Sequence, residues 1–324
     1  MTALRPVPFG TAAVAAFSAM VSVTFFSVND MAIKFLSGGY ALHEVVLIRS
    51  VVALGVLFAL IAPGAGGLRI VRTRRPLLHI VRGLLVVTSN MLFFLGLAAL
   101  PLAEAVAIFF ICPVIVTLFS VIFLRETVGP HRWAATAVGF IGVLVMIRPG
   151  TAAFQPASLL PMGSAVAYSA MHMLTRTIGR TDGAATLSFY IQLTFLIVCI
   201  GFGVTVGDGH FAAQDNASLA FLLRAWTWPG QADYLILAAI GLCSAMGGYF
   251  ISKAYRMAEA AFVAPFEYLS LVLAIFWGLL VFGEWPDAVA FVGIGLIIAS
   301  GLYTLWRESR ARPAPVAEAP QLQR

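Results

Sequence analysis

The sequence predicts an all-α integral membrane protein of ten transmembrane helices, arranged as two inverted five-helix repeats. Three observations lead to this prediction: ten apolar runs of about 20 residues each, basic residues concentrated in alternate loops, and matching motifs in the two halves. The composition agrees, with 61% hydrophobic residues, 10% charged residues and a mean hydropathy of +0.96. These runs occupy most of the 324 residues, so we expect no separate soluble domain.

Each apolar run is about long enough to cross the hydrocarbon core of a bilayer as a helix. The predicted spans are, in chain order, 10–35, 43–62, 77–98, 103–124, 131–147, 157–178, 184–205, 233–255, 260–281 and 287–306. The first repeat covers 10–147 and the second covers 157–306. The remaining segment, 307–324, is basic and contains Pro and Ala, which predicts a disordered cytoplasmic tail.

The loop charges predict the orientation, because Arg and Lys in short loops stay on the cytoplasmic side. With the N-terminus inside, 15 of the 20 basic residues lie in inner segments. Three, Lys34, Arg148 and Arg224, lie outside, and Arg49 and Arg82 fall within spans. Dropping one span would exchange the sides of every later loop, so this distribution supports ten. We therefore predict a multi-pass protein of the cell inner (plasma) membrane, with both termini cytoplasmic and no cleavable signal peptide.

The fourth predicted helix of each half ends in a similar sequence. Phe123-Leu124-Arg125-Glu126 precedes a helix with Gly139-x-x-Gly142, and Phe282-Gly283-Glu284 precedes a helix with Gly293-x-Gly295. Units with an odd number of helices must insert in opposite senses. Inverted repeats of this kind allow a central site to open to either face of a membrane.

Several motifs extend over roughly residues 10–306. They are Asp30-x-x-x-Lys34, His43-Glu44-x-x-x-x-Arg49-Ser50, Pro101-Leu102-Ala103-Glu104-Ala105 with Pro113, Leu124-Arg125-Glu126, Gly139-x-x-Gly142, and Ala264-Pro265-Phe266-Glu267-Tyr268 with Phe282-Gly283-Glu284. As a set they resemble the ten-helix EamA-type branch of the drug/metabolite transporter superfamily. The resemblance implies a metabolite carrier with a central cavity between the halves, and is greatest to carriers described as riboflavin or S-adenosylmethionine transporters. The outer segment 206–233 is longer than the link usual in that family.

Polar residues within the spans are the candidates for a binding site, because ionisable groups in hydrocarbon normally face a partner or a wet cavity. Aromatic neighbours could stack on a flat ligand. The candidate substrate-binding residues are Asn29, Asp30, Lys34, Arg49, Arg82, Glu104, Phe109, Tyr168, His172, Phe266, Glu267 and Tyr268.

Each candidate also has a structural interpretation. Asp30 and Lys34 stand one turn apart and could pair with each other. Arg49 and Arg82 could extend to the lipid headgroups, and Glu104 could cap its own helix. Glu267 could form a structural pair with an arginine, and the remaining polar and aromatic candidates could simply pack between helices. Glu126 and Glu284 are expected to cap the following helix or pair with a loop arginine. The three cysteines lie inside spans without metal-ligand spacing and are expected to be packed thiols.

The sequence favours a carrier over an enzyme or a channel. It contains no HExxH, GxSxG or GxxxxGK[ST] motif, so we expect neither enzymatic activity nor a cofactor, and a gradient as the driving force. A channel would be expected to contain a carbonyl-rich filter sequence, and none is visible here. The expected partners are a small-molecule substrate and the bilayer, in a monomer or homodimer; the basic loops and tail account for the net charge of +6 without nucleic acid. An exporter of amino acids or of drug-like or quaternary amine metabolites is the alternative.

The predicted topology can be tested with cysteine accessibility tags. Tags in the 69–75 loop or the tail should be labelled only from the cytoplasm, whereas a tag near Asp215 should be labelled only from outside. Labelling of both positions from one side would rule out the ten-span arrangement.

Overall fold

The computed structural model describes residues 9–73, 75–124, 129–178, 183–212, 215–257, 263 and 266–310. Within these residues the regular structure is helical. The α-helices are α1 (Phe9–Leu36), α2 (Leu42–Val56), α3 (Pro76–Ala99), α4 (Leu102–Phe109), α5 (Cys112–Leu124), α6 (Pro130–Ile147), α7 (Leu159–Ile178), α8 (Ala184–Val206), α9 (Ala217–Leu223), α10 (Tyr234–Met257), α11 (Leu269–Phe282) and α12 (Ala288–Arg310). A π-helical turn at Leu57–Ile61 extends α2.

Six described segments are long and apolar enough to cross a membrane. They are Ala13–Leu36, Leu42–Ile61, Pro76–Ala99, Leu102–Phe123, Ala185–Val206 and Gln231–Ile251. Three shorter apolar helices are Trp133–Ile147, Leu269–Phe282 and Ala288–Thr304. Each of these segments overlaps a span predicted from the sequence, and α7 coincides with the remaining predicted span. The all-helical prediction is therefore confirmed for the described residues, and length and composition support membrane crossing for six of the predicted spans.

The fourth predicted span is interrupted, which the sequence analysis did not anticipate. Phe110 and Ile111 separate α4 from α5. Pro113 explains the break, because it has no N–H to donate to the carbonyl one turn back. The Phe110 amide is shared between the carbonyls of Val106 and Ala107, and the Ile111 amide bonds three residues back, to Ile108. Pro113 then lies in the first turn of α5, where a missing N–H is tolerated.

Two other elements differ from the predicted boundaries. The ninth span contains a turn at Tyr268, after which α11 begins; Ala264 and Pro265 lie outside the described residues. The last helix continues to Arg310, four residues into the predicted tail. Residues 311–324 lie outside the described part of the chain.

Helices from the two halves pack side by side. α1 packs along α10, α3 along α7, α2 against α8 and α6 against α12. The Ser22 hydroxyl donates to the Gly247 carbonyl at 2.8 Å, joining α1 to α10, and the Ser89 and Ser164 hydroxyls lie 3.0 Å apart between α3 and α7. Small and hydroxyl-bearing residues allow close approach and hydrogen bonding between helices in lipid.

Two glycines face each other where α6 crosses α12. A Cβ atom on Gly142 would lie 2.9 Å from the Gly293 carbonyl oxygen, and one on Gly293 would lie 2.8 Å from the Gly142 carbonyl oxygen. Both obstacles are backbone atoms, which cannot rotate away as a side chain can. The crossing therefore requires glycine at both positions, whereas a Cβ on nearby Gly295 would meet nothing within 4 Å.

Gly142→Ala should destabilise the protein by about 1–3 kcal/mol, as expected for overpacking. Gly295→Ala, two positions beyond Gly293 on α12, is the matched control. It should be neutral or stabilising, because alanine favours a helix over glycine by about 1 kcal/mol. The measurement is the thermal unfolding midpoint of the purified protein in detergent, and equal shifts in the two variants would contradict the assigned crossing.

Candidate functional site

Arg49 lies deep in the bundle, with 3% of its surface exposed. Its guanidinium carbon is 4.6 Å from the Phe195 ring centre on α8 and 5.4 Å from the Phe94 ring centre on α3. Both distances are in the range of cation–π attraction. The interpretation that Arg49 extends to the headgroups is therefore wrong, because its charge is held between two helices that it contacts through aromatic rings.

Further polar groups lie near Arg49. Asp30 attracts the guanidinium electrostatically and accepts a hydrogen bond from Asn29 Nδ2 at 3.1 Å. On the neighbouring helices, Gln192 Nε2 donates to the Ser244 hydroxyl at 3.3 Å. Three buried atoms, Asn29 Oδ1, Arg49 Nε and Gln192 Oε1, have no hydrogen-bond partner within the described part of the chain. Because unpaired buried polar atoms are costly, these atoms are candidate contacts for a polar ligand.

Aromatic rings connect the two halves of the bundle. The Phe109 ring centre lies 5.3 Å from that of Phe93 and 5.3 Å from that of Tyr168. Phe110 stacks on Tyr268, with ring centres 4.9 Å apart and 22° between the planes. These last two residues mark the breaks in the fourth and ninth spans, so the two breaks face each other. Their flat surfaces are suited to binding a ring, since offset stacking contributes about 0.5–1.5 kcal/mol beyond buried area.

Glu267 lies beside these rings. Its carboxylate interacts electrostatically with Cys112, Tyr168 and Tyr268, and the Arg82 guanidinium interacts with Tyr168. Glu267, Arg82, Tyr168 and Tyr268 were predicted as site residues from three separate spans. The fold brings them together beside the helix breaks.

Two other predicted residues are placed less centrally or lie outside the description. Phe266 packs against a small buried cluster of Ala19, Ala254 and Val263. The backbone of His172 is part of α7, but its side chain lies outside the described residues. Their proposed roles in binding stay predictions.

Lys34 joins three segments at one end of the bundle. Its ammonium group lies 2.8 Å from Glu284 Oε1 and donates to the Leu100 carbonyl oxygen at 2.5 Å. It also lies 5.0 Å from the Phe282 ring centre. Glu284 Oε2 accepts a hydrogen bond from the Leu102 backbone N–H at 3.0 Å. We call Lys34, Glu284 and the Leu100 and Leu102 backbone groups the clasp.

The clasp corrects two interpretations of the sequence. Lys34 pairs with Glu284, from the other half, rather than with Asp30 one turn away on α1. Glu284 contacts the N-terminus of α4 instead of capping the helix that follows it or pairing with a loop arginine. Asp287 caps that following helix, α12, by accepting a bond from the Ala290 N–H at 2.8 Å. Both corrections arise because the loop after α11 folds toward the start of α4.

A second ion pair lies beside the clasp. Arg148, the C-cap of α6, donates to both carboxylate oxygens of Asp287. This hydrogen bond holds the pKa of the Asp287 carboxyl below its usual range, so the pair remains ionised at neutral pH and is lost only as the pH falls through that lowered pKa. Glu104 lies within electrostatic reach of Lys34, Glu284, Arg148 and Asp287. This end of the bundle therefore holds two cations and three carboxylates in mutual range.

The sequence analysis missed three aromatic residues, Phe93, Phe94 and Phe195. Phe94 follows Asn90 by four positions on α3, and Phe195 follows Gln192 by three on α8. Each pair shares a face of its helix. A polar residue on the same face as an aromatic ring, in an otherwise apolar helix, is the signal that could have identified two of them.

Comparison with known proteins gives the family. A model of the EamA-like transporter family matches residues 13–148. The riboflavin transporter of Rhizobium johnstonii is 33% identical over 249 residues, which cover 77% of this chain and 76% of that protein. The chain belongs to the EamA-like transporter family. It is thus an integral membrane protein and a membrane transporter of the drug/metabolite transporter superfamily.

Other similarities agree with the family and the fold. The S-adenosylmethionine uptake transporter of Rickettsia felis is 26% identical over 296 residues, covering 90% of this chain and 92% of that protein. A solved crystal structure matches with a TM-score of 0.63 at 16% identity, over 93% of this chain and 99% of that one. The named relatives are transporters, which agrees with the absence of enzyme motifs from the sequence.

The environment of Arg49 predicts energetic coupling to Asp30. Arg49→Met should destabilise the EamA-like protein strongly, because it leaves a buried carboxylate without its cation. Asp30→Asn in the same chain should recover part of that loss, with a coupling energy of about 0.5–3 kcal/mol. Thermal unfolding of the single and double variants measures this cycle. Additive effects would show that the two charges do not interact.

Proposed function

We propose that this transporter moves a small organic metabolite across the inner membrane by alternating access, through ten spans arranged as two inverted repeats. The observation that carries the proposal is the meeting of aromatic rings from both halves, with the Glu267 carboxylate beside them, at the facing breaks of the fourth and ninth spans. Broken helices at a repeat interface are a recurrent way to build a central transport site. In this proposal Arg49 and Glu267 supply charges of opposite sign.

The pairing of helices supports the inverted repeat. Exchange of the halves maps α1 onto α7, α2 onto α8, α3 onto α10 and α6 onto α12. The packing of α1 on α10 then becomes that of α7 on α3, and the packing of α2 on α10 becomes that of α8 on α3; all four occur. The α2–α8 and α6–α12 packings map onto themselves. A structure with this exchange symmetry has two equivalent ways to tilt its halves, one for each face of the membrane.

The chemistry of the site favours a planar ring with a polar or charged end group. The rings of Phe109, Phe110 and Tyr268 offer flat faces, while Arg49 and Glu267 offer a cation and an anion. Riboflavin joins a planar ring to a neutral polyhydroxyl chain, S-adenosylmethionine joins one to a charged amino-acid group, and relatives carry the names of transporters for each. They are the leading substrates in this proposal.

A second candidate is an exporter of amino acids or of drug-like or quaternary amine metabolites. The placement of Glu267 beside Tyr168 and Tyr268 favours it, because a carboxylate among aromatic faces also suits an organic cation. Alternating access is reversible, so the gradient sets the direction. The sequence lacks a nucleotide-binding loop, which supports a gradient as the energy source.

The orientation is also part of the proposal. Basic loops such as 69–75 lie on the cytoplasmic side by the positive-inside rule. The clasp, at the opposite ends of the helices, then faces outward. Both termini are cytoplasmic in this arrangement.

Uptake of labelled riboflavin and S-adenosylmethionine by cells auxotrophic for each compound tests the proposal. We expect one auxotroph to be rescued by this protein, and Glu267→Gln to abolish accumulation while the protein stays folded in the membrane. The reason is that the amide keeps the shape of the side chain but removes its charge.

The matched control is Asp208→Asn, which removes a carboxylate whose partner, His210, lies in the same exposed loop. This variant should transport normally. If neither auxotroph is rescued while toxic amino-acid analogues become tolerated, the exporter is the better assignment. Normal uptake by Glu267→Gln at every pH would remove Glu267 from the transport mechanism.

A further inference from the structure

We propose that the clasp is the outer gate of the transporter, closed in this structure, and that Lys34 and Glu284 must separate each time the site opens to the outside. This inference rests on the proposed alternating access. It assigns a role in transport to Glu284, which the sequence indicated only as a helix cap or as the partner of a loop arginine. It also assigns Lys34 to opening and closing of the path rather than to contact with the substrate.

The groups that meet in the clasp come from both halves of the chain. Lys34, Leu100 and Leu102 belong to the first half, and Glu284 belongs to the second. The single ammonium group is bound by a carboxylate from one half and by a backbone carbonyl from the other. A contact that joins α1, the turn before α4 and the loop after α11 closes the space between these three segments.

The clasp lies at the opposite ends of the two helices that begin or end at the aromatic site. Leu102 begins α4, which ends next to Phe110 at the first break. Glu284 follows α11, which begins next to Tyr268 at the second break. The clasp therefore holds the far ends of the two helices whose near ends carry the stacked rings. α4 has eight residues, a length of about 12 Å.

This arrangement gives a physical route from ligand to gate. A planar ring that enters between Phe110 and Tyr268 must widen their 4.9 Å separation, because each ring of a stack needs about 3.5–4.0 Å to its neighbour. α4 and α11 are short and stiff, so displacement of their near ends acts on the clasp. Insertion of a ring at the helix breaks and closure of the clasp are therefore expected to be coupled through α4 and α11.

The clasp can open without leaving either charge in a dry environment. The Lys34 side chain is 10% exposed and that of Glu284 is 30% exposed, so both groups can become hydrated as the segments separate. Glu104 also lies within electrostatic reach of Lys34 and offers it a second carboxylate. A deeply buried pair would cost several kcal/mol to separate, whereas this pair is placed for reversible opening.

The natural Cys112 provides a reporter. It lies at the first helix break, 3.2 Å from the Ser169 hydroxyl and within electrostatic range of Glu267. With Cys199→Ala and Cys243→Ala in place, Cys112 is the single cysteine of the chain. Its reaction with a membrane-impermeant methanethiosulfonate is measured from the outside in cells and from the cytoplasmic side in inverted vesicles.

We expect Lys34→Met to speed labelling of Cys112 from the outside at least tenfold and to leave labelling from the cytoplasmic side unchanged or slower. Glu284→Gln should act in the same direction but less strongly, because its amide oxygen can still accept from the Leu102 N–H. Asp208→Asn, which removes a carboxylate at the same end, should not change either rate. Unchanged outside labelling in Lys34→Met would overturn the proposal.

Two additional outcomes separate a gate from a structural support. Faster labelling from both sides would mean that the fold has loosened, and this also overturns the proposal. If Lys34→Met does not fold, the exchange variant Lys34→Glu/Glu284→Lys replaces it. In this double variant the exchanged ion pair should keep labelling of Cys112 from the outside slow, whereas Glu284→Lys without the second change should make that labelling fast. Equal labelling rates in the two variants would contradict the gate.

The assay uses no substrate, so its outcome is independent of which metabolite the transporter carries. Failure of riboflavin or S-adenosylmethionine uptake would change the proposed substrate and leave the gate intact. Conversely, normal uptake with unaltered labelling in Lys34→Met would retain the proposed function and remove the clasp from it.

Discussion

The dominant constraint on this protein is the absence of water from the hydrocarbon core of the membrane. Every backbone polar group and every charge within the core must find its partner inside the protein. The helical backbone satisfies the first requirement. The requirement that each charge has a partner shapes the site, because Arg49 can remain buried only where Phe94, Phe195 and Asp30 surround its charge.

The same constraint makes interrupted helices informative. A break exposes backbone groups, so it is tolerated in a membrane only where the surrounding protein or a polar cavity satisfies them. Pro113 accounts for the break at Phe110 through its missing N–H. The facing turn at Tyr268 then places two aromatic rings and the Glu267 carboxylate in one region, where a ring-bearing ligand can meet both flat and charged groups.

Charged residues occupy two distinct environments in the transporter. Arg49 and Asp30 lie deep between helices, where two charged groups of opposite sign suit recognition of a polar ligand group. Lys34 and Glu284 lie at the end of the bundle, where partial exposure permits hydration. Depth thus distinguishes charges suited to holding a ligand from charges suited to opening and closing a path.

The hydropathy and charge of the sequence determined where the helices lie, because a bilayer imposes a fixed apolar length, which six of the described segments meet. Motifs such as Pro265-Phe266-Glu267-Tyr268 identified the family and most of the polar candidates. The partner of Lys34 could not be identified in this way. Asp30 is its neighbour on the helix, yet Glu284, 250 positions away, is its partner, because helix packing decides which ends meet. Likewise, only the rotation of α3 and α8 placed Phe94 and Phe195 on Arg49.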